Sequence, residues 1–354
     1  MAQNRSPEEN FDVIIVGGGP AGLKCAHTLS DSGKSILLLE KEPIFGDKLC
    51  AGGLTTNDLK ILEVPDNIIE HKISSTSLQS AKRVSSTQAL KPFLYTVNRK
   101  KLGGWQKSLL DNTSVIVRSN TKVTRINNDH VCLKDGSKIG FSYLVGADGQ
   151  ASIVRKYLGI PVRKKLIGLQ YAIPMEKVDP KLEIHLDSRL FNAWYAWIFP
   201  HENYIAVGCC SDPKILRPTR LRDNFHLWLE RKRIDFSGLK LETYPISYDY
   251  QGVRFDNIFL IGEAAGMASG LTGEGIYQSM VSGQEAARMI LDPQYVPVQL
   301  DKVLRYNSIQ HKIMKLFKSS HTVRNFLHEL LLVAMNNYRI KKFIRAAFSP
   351  MKKK

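Results

Sequence analysis

The first strongly patterned segment runs from residue 11 to residue 40, FDVIIVGGGPAGLKCAHTLSDSGKSILLLE. The unbroken apolar run Val13 to Val16 predicts a buried strand, an alanine-containing helix follows Pro20, and a second apolar strand ends at Glu40. Between the first strand and the helix stands Gly17-x-Gly19-x-x-Gly22. In such a unit the first glycine permits a tight turn, the second lets backbone approach a pyrophosphate, and the third lets the helix pack closely on its strand. The helix N-terminus offers free N–H groups and the positive end of its dipole to the phosphates. Glu40, eighteen residues past Gly22, stands where a carboxylate can hold the ribose hydroxyls of an adenosine. Strand, helix, second strand and terminal acid in register predict dinucleotide binding.

Residues 114–126 and 130–139 alternate like half-buried strands, with Asp135-Gly136 as a turn before the next strand. FSYLVGADGQASIVRKYLGI follows: an apolar strand, the turn Gly146-Ala147-Asp148-Gly149, and a helix carrying Arg155. Residues 167–210 read as strands rich in aromatics, including AWYAWIFP (193–200) and YIAVGCC (204–210). Residues 219–233 pattern as a helix and 244–250 as extended chain. A last apolar strand at 257–263 leads through Gly262-Glu263-Ala264-Ala265-Gly266 to GLTGEGI (270–276), which opens a helix reaching about Leu291. The nucleotide fold thus starts near residue 11 and closes only after residue 258, so interleaved domains are expected. Beyond lies helical sequence. Val323, Phe326, Leu327, Leu330, Leu331, Ala334 and Met335 follow one helical face. Ile340, Phe343, Ile344, Ala347 and Phe348 follow another, opposed by Arg339, Lys341, Lys342 and Arg345.

Composition narrows the picture. An apolar share of 43% over 354 residues suits a globular chain with a substantial core. The five cysteines (25, 50, 132, 209, 210) lack metal-ligand spacing, so no metal is expected, and a reduced, cytoplasmic setting suits them. The polar N-terminus does not pattern as a signal peptide, and no run reaches the ~18–20 apolar residues of a membrane span. The net charge of +17 is concentrated: residues 301–354 hold thirteen Lys or Arg against two acids. Nothing resembles a nucleic-acid module, so an acidic substrate or an anionic membrane face is left for the basic surplus. The amphipathic C-terminus suits equally a membrane surface and a solvated helix packed on the body.

Three motifs in order, GxGxxG, GADGxxSxVR and GEAAGxxxxLTGEGI, resemble the FAD-dependent oxidoreductases related to para-hydroxybenzoate hydroxylase. Lys48-Leu49-Cys50-Ala51-Gly52-Gly53-Leu54 is similar to the Cys-Gly-Gly segment of the geranylgeranyl reductase family, and Tyr195-Ala196-Trp197-Ile198-Phe199-Pro200 to its Tyr-x-Trp-x-Phe-Pro motif. The resemblance covers roughly residues 11–290. Two positions depart from it: Glu263 stands where the wider superfamily has Asp, and Ala51 where glycine is usual.

The resemblance implies an α/β fold: a Rossmann-like FAD-binding domain (1–160 and 252–295) interleaved with a mixed β-sheet substrate domain (161–251, with parts of 60–100), then basic C-terminal helices (296–354). It places Gly17, Gly19, Pro20, Ala21 and Gly22 at the FAD pyrophosphate and Glu40 with Lys41 at the adenosine end. Asp148 and Gly149 fall near the dinucleotide, and Gly262 and Glu263 near its ribityl or pyrophosphate region. The amides of Gly273, Glu274 and Gly275, ahead of Ile276, would face the flavin pyrimidine edge. Arg99 is either a cofactor contact or a solvated surface residue. Cys50 and Tyr195 are the expected proton donors, with a small buried hydrophobe as the other role for Cys50. Gly52, Gly53, Trp197 and Phe199 would line the substrate site, although strand aromatics are often plain core.

The activity so implied is reduction of C=C bonds in a geranylgeranyl or polyprenyl chain by hydride from reduced flavin. NADPH, NADH or ferredoxin would supply the electrons, and with no second GxGxxG unit in the sequence a pyridine nucleotide would visit only transiently. Two alternatives share the motifs: an aromatic monooxygenase or halogenase, and a membrane-associated flavoprotein without turnover. Halogenases carry Trp-x-Trp-x-Ile-Pro, where this chain has Tyr195 and Phe199.

Overall fold

The computed structural model describes residues 9–336, so the basic stretch expected to form a second apolar face (340–348) lies outside the described residues. In chain order, β1 (Glu9–Val16), α1 (Pro20–Leu29) and β2 (Ile36–Leu39) are followed by β3 (Gly53–Thr55), α2 (Thr56–Leu62), β4 (Ile69–Ile73), β5 (Ser75–Ser80), β6 (Val84–Gln88) and β7 (Leu94–Val97). Then come α3 (Arg99–Ser108), β8 (Ile116–Arg118), β9 (Val123–Ile126), β10 (His130–Leu133), β11 (Lys138–Gly146) and α4 (Ile153–Tyr157). The second half holds β12 (Lys165–Pro174), β13 (Lys181–Leu186), β14 (Ala196–Pro200), β15 (Tyr204–Ser211), α5 (Pro218–Arg231) and β16 (Glu242–Ser247). It closes with β17 (Arg254–Phe255), β18 (Ile258–Leu260), α6 (Ile276–Leu291), α7 (Val298–Phe317) and α8 (His321–Asn336).

An eight-stranded sheet runs β17-β18-β11-β1-β2-β8, with β10 and β9 hung from β11. Its centre is parallel, and β18 joins it late by pairing Leu144 with Ile258. The second half of β1 (Val13 to Val16) and all of β2 are buried, which is why these stretches are unbroken apolar runs, whereas the first residues of β1 are polar and exposed. Helices α1 and α6 pack tightly on each other: a Cβ on Gly283 would collide with the Ala21 carbonyl. A seven-stranded sheet, β16-β12-β15-β14-β13-β5-β6, is antiparallel except where β13 meets β5. One face of it is sealed by α5 through Leu169, Tyr171, Phe225 and Trp228. A third, small sheet runs β3-β7-β4.

One sequence expectation changes, and one orientation that periodicity left open is set. The segment 193–200 is not one strand. β14 starts at Ala196, and Trp194 sits in the preceding turn, fully buried, with its indole N–H donating to the Gly270 carbonyl at 2.9 Å. The residues with apolar periodicity on α8 do not all turn inward: Leu332 is buried, while Val323, Phe326, Leu330 and Val333 are exposed. Among the described residues no helix is long and apolar enough to cross a membrane.

Candidate active site

The phosphate-binding turn is built by close approach. Gly17 has φ +106°, and a Cβ there would lie 2.5 Å from the Ala147 carbonyl oxygen. A Cβ on Gly22 would overlap the Gly17 carbonyl, so α1 rests directly on the turn. At Gly19 an added Cβ would meet nothing within 4 Å. That open space lies at the N-terminus of α1, where Pro20 occupies the first turn and Ala21 is buried. Glu40 accepts from the Gly18 and Glu42 amides at 2.6 and 2.9 Å, which aims its carboxylate back at the turn.

Four polar atoms on three side chains around this cleft are buried without partners: Arg99 Nε and Nη1, Asp148 Oδ1 and Glu263 Oε2. Leaving buried polar atoms unpaired costs about 1–3 kcal/mol each, so such a set implies an absent ligand. Two carboxylate oxygens suit sugar or ribityl hydroxyls, and a guanidinium suits phosphate or ring carbonyl oxygens. The residues present therefore fit FAD. Asp148 is held by the Ile153 amide at 2.7 Å, beside the positive-φ Gly149, and burial raises its pKa against its hydrogen bonds. The other Glu263 oxygen pairs with Lys48 at 2.8 Å, and Gly262 (φ +59°) donates its N–H to Ser282 at 2.8 Å. Lys48 also lies 4.2 Å from the Tyr244 ring centroid. Burial works to lower the Lys48 pKa, but Glu263 and Tyr244 outweigh it and hold the ammonium up.

At the far end, the loop bearing Cys50 is pressed onto β14. A Cβ on Gly53 would lie 2.6 Å from the Phe199 ring, and one on Gly52 (φ +73°) 2.6 Å from the His201 ring. Gln170 links the two layers: its amide donates to the Cys50 carbonyl and accepts from the Trp197 indole, both at 3.4 Å. The Cys50 sulfur accepts from the Gly52 N–H at 3.4 Å. Trp197 meets Tyr195 edge-on at 6.0 Å between ring centroids. The cysteine, both substrate-side glycines and three of the four strand aromatics thus converge, although they are about 150 residues apart in sequence.

Several of the expected site residues have other engagements in the fold. Tyr195 donates its hydroxyl to the Thr272 carbonyl, and burial carries its pKa well up, so the phenol anchors the 270–275 turn rather than offering a free proton. The Gly273 N–H is spent on the Ser269 carbonyl at 3.0 Å and the Glu274 N–H on the Thr272 hydroxyl at 3.4 Å, which leaves the Gly275 amide, just ahead of Ile276, for the flavin edge. Lys41 is exposed and paired with Glu42 at 3.7 Å on the surface.

Some residues went unnoticed in the sequence. His201 is buried between Glu70, 2.5 Å from its Nδ1, and the Ala51 carbonyl, 3.1 Å from its Nε2, and it stacks on Tyr204. Its signal was adjacency to Phe199-Pro200, whereas Glu70 carried none. Asp58, which caps α2 through Thr55, is pushed up to about 6 by burial. Solvent still touches Glu274, but crowding by protein, then the Asp58 charge, pushes its carboxyl up to about 7. Arg155 is an internal tie: 2% exposed, it donates to the carbonyls of Ile160, Pro161, Ala264 and Asp249 and to the Asp249 carboxylate.

The sequence model of the family described as "Lycopene cyclase protein" matches residues 12–195, more than half of the chain. A geranylgeranyl diphosphate reductase of Rhodobacter capsulatus is 26% identical, covering 78% of this chain and 74% of its own. A digeranylgeranylglycerophospholipid reductase of Methanosarcina acetivorans is also 26% identical, with the same coverage. The crystal structure of a geranylgeranyl bacteriochlorophyll reductase-like protein from Thermoplasma acidophilum superposes with a TM-score of 0.75 at 20% identity, over 96% of this chain and 99% of that one. With a cleft that fits FAD and kinship running from the first strand through the loop of Cys50 to Tyr195, the chain belongs to the lycopene cyclase protein family and is an FAD-dependent oxidoreductase of the geranylgeranyl reductase-like kind.

Proposed function

We propose that the enzyme reduces carbon–carbon double bonds of a polyprenyl chain. The observation that supports this reading is the docking of the Cys50–Gly53 backbone on the Trp197–Phe199 strand, through Gln170 and the close approach of Gly53 to the Phe199 ring. FAD, when bound, supplies the hydride, recharged by an external donor such as NADPH, NADH or reduced ferredoxin. The chain's own residues do the rest. An isolated alkene is a poor hydride acceptor, so the second carbon must receive a proton while water is kept away. Cys50 is the proton source on the loop, its carbonyl fixed by Gln170 and its sulfur by the Gly52 amide. Trp197 and Phe199 shed water from the isoprene units. Tyr195 keeps the 270–275 turn in place through Thr272. The substrate classes in the names of the relatives support the same reading, since both carry geranylgeranyl chains.

The test is anaerobic. Dithionite-reduced enzyme is given geranylgeranyl diphosphate, and products are weighed by mass spectrometry. A gain of two mass units per reduced double bond is expected. Cys50→Ala should retain flavin and lower the yield by roughly 10²–10⁴-fold, the usual worth of a general acid. Unchanged prenyl substrate, with oxygen uptake coupled to an aromatic compound, would replace this reading with the monooxygenase one.

A further inference from the structure

Helix α8 is built inside out. Its ionisable residues after the first turn point into the body. Arg324, 5% exposed, donates to the carbonyls of Phe317 and Ser319 at 2.8 Å. His328, 2% exposed, stacks on Phe317 with 5.3 Å between ring centroids. Glu329 accepts from the Ser80 hydroxyl at 2.6 Å and pairs with Arg83 at 3.6 Å. Every exposed position between Val323 and Met335 is apolar: Val323 (46%), Phe326 (65%), Leu330 (50%) and Val333 (49%). Their spacing of three, four and three residues makes one continuous row along the outer face.

A helix in water normally shows the opposite arrangement, and a contiguous exposed apolar row marks a surface that something covers. The sequence that follows says what. After Glu329 the chain has no acidic residue, and it carries Arg339, Lys341, Lys342, Arg345 and Lys352 to Lys354. A second copy would bring these cations against their own kind. An acidic protein or nucleic acid would satisfy the charge but leave the apolar row in water. A surface that is anionic outside and hydrocarbon beneath satisfies both.

We infer that the outer face of α8 inserts shallowly into an anionic lipid bilayer, with the basic residues beyond it supplying the attraction. This docking does not depend on which substrate the active site reduces. The test is co-sedimentation of the full chain with vesicles of equal parts phosphatidylcholine and phosphatidylglycerol, and with phosphatidylcholine alone. The wild-type protein should pellet with the mixed vesicles, weaken in high salt, and remain in solution with phosphatidylcholine. Phe326→Ser with Leu330→Ser, at exposed positions, should keep flavin content and melting temperature while losing roughly tenfold or more in binding. Deletion of residues 337–354 should remove the preference for anionic vesicles. Undiminished binding by the double variant, or no binding by the wild type, overturns the inference. A wild-type dimer in light scattering that the double variant dissolves would reassign the face to contact between copies.

Discussion

His201 holds the carboxylate of Glu70 on one ring nitrogen, at 2.5 Å, and the carbonyl of Ala51 on the other, at 3.1 Å. A strand of the small sheet, the end of β14 and the loop bearing Cys50 are thereby joined through one buried ring. Because Ala51 follows Cys50 directly, the ring fixes where the thiol can sit.

Removing that ring should free the loop before it damages the fold. His201→Phe preserves stacking on Tyr204 but strands the Glu70 carboxylate, at a cost of about 1–3 kcal/mol. In a Cys132→Ser background Cys50 is the one partly exposed cysteine left, because Cys25, Cys209 and Cys210 are buried. Labelling by a thiol reagent should accelerate in His201→Phe. An unchanged labelling rate would deny His201 this positioning role.

Gly22→Ala should cost the protein both stability and flavin. The new Cβ overlaps the Gly17 carbonyl, so α1 must lift off β1, a strain of about 1–3 kcal/mol. The same change at Gly19 meets open space in the cofactor-free chain. Gly19→Ala should therefore leave melting of the flavin-free protein unchanged and weaken only flavin retention, read from the absorbance of the purified protein.

Arg155→Met should destabilise strongly. Arg155 and Asp249 are 2% and 1% exposed, and removing one partner leaves the other buried and uncompensated, at about 3–5 kcal/mol. Adding Asp249→Asn should recover much of the loss in chemical denaturation, because the orphaned charge goes with it.

Glu274 makes stability depend on pH. Its carboxyl is raised from 4.5 to about 7 in the folded protein, so between those values the folded chain keeps a proton that the unfolded chain has released. Stability therefore falls as pH rises through this window, with a slope made shallow by the solvent exposure of Glu274, and is flat on either side. Glu274→Gln should melt with the wild type at pH about 4 and progressively above it up to pH about 7. A difference independent of pH would contradict the shift.

The local code was legible where one short segment does one job. The run from Val13 to Glu40 specified strand, turn, helix and strand because burial on both faces demands continuous apolar residues and close packing demands glycine. The late strand at 258–260 and the helix from Ile276 to Leu291 were readable for the same reason. Chain folding alone decided what lies between distant segments. Nothing near Glu70 announces His201, nothing near Lys48 announces Glu263, and Gln170 shows no local sign of joining Cys50 to Trp197. Periodicity also grouped the apolar residues of α8 without saying which way they face, because a helical repeat marks a side and only its packing partners decide whether that side is in or out. Even Tyr195, correctly placed among the aromatics, found its hydroxyl bound to a carbonyl 77 residues away. The sequence by itself determined dinucleotide binding, which is written in one strand–turn–helix–strand segment, and its resemblance to a family implied FAD and the class of fold. The tertiary structure decided the site, because its hydrogen bonds run between units that only the fold brings together.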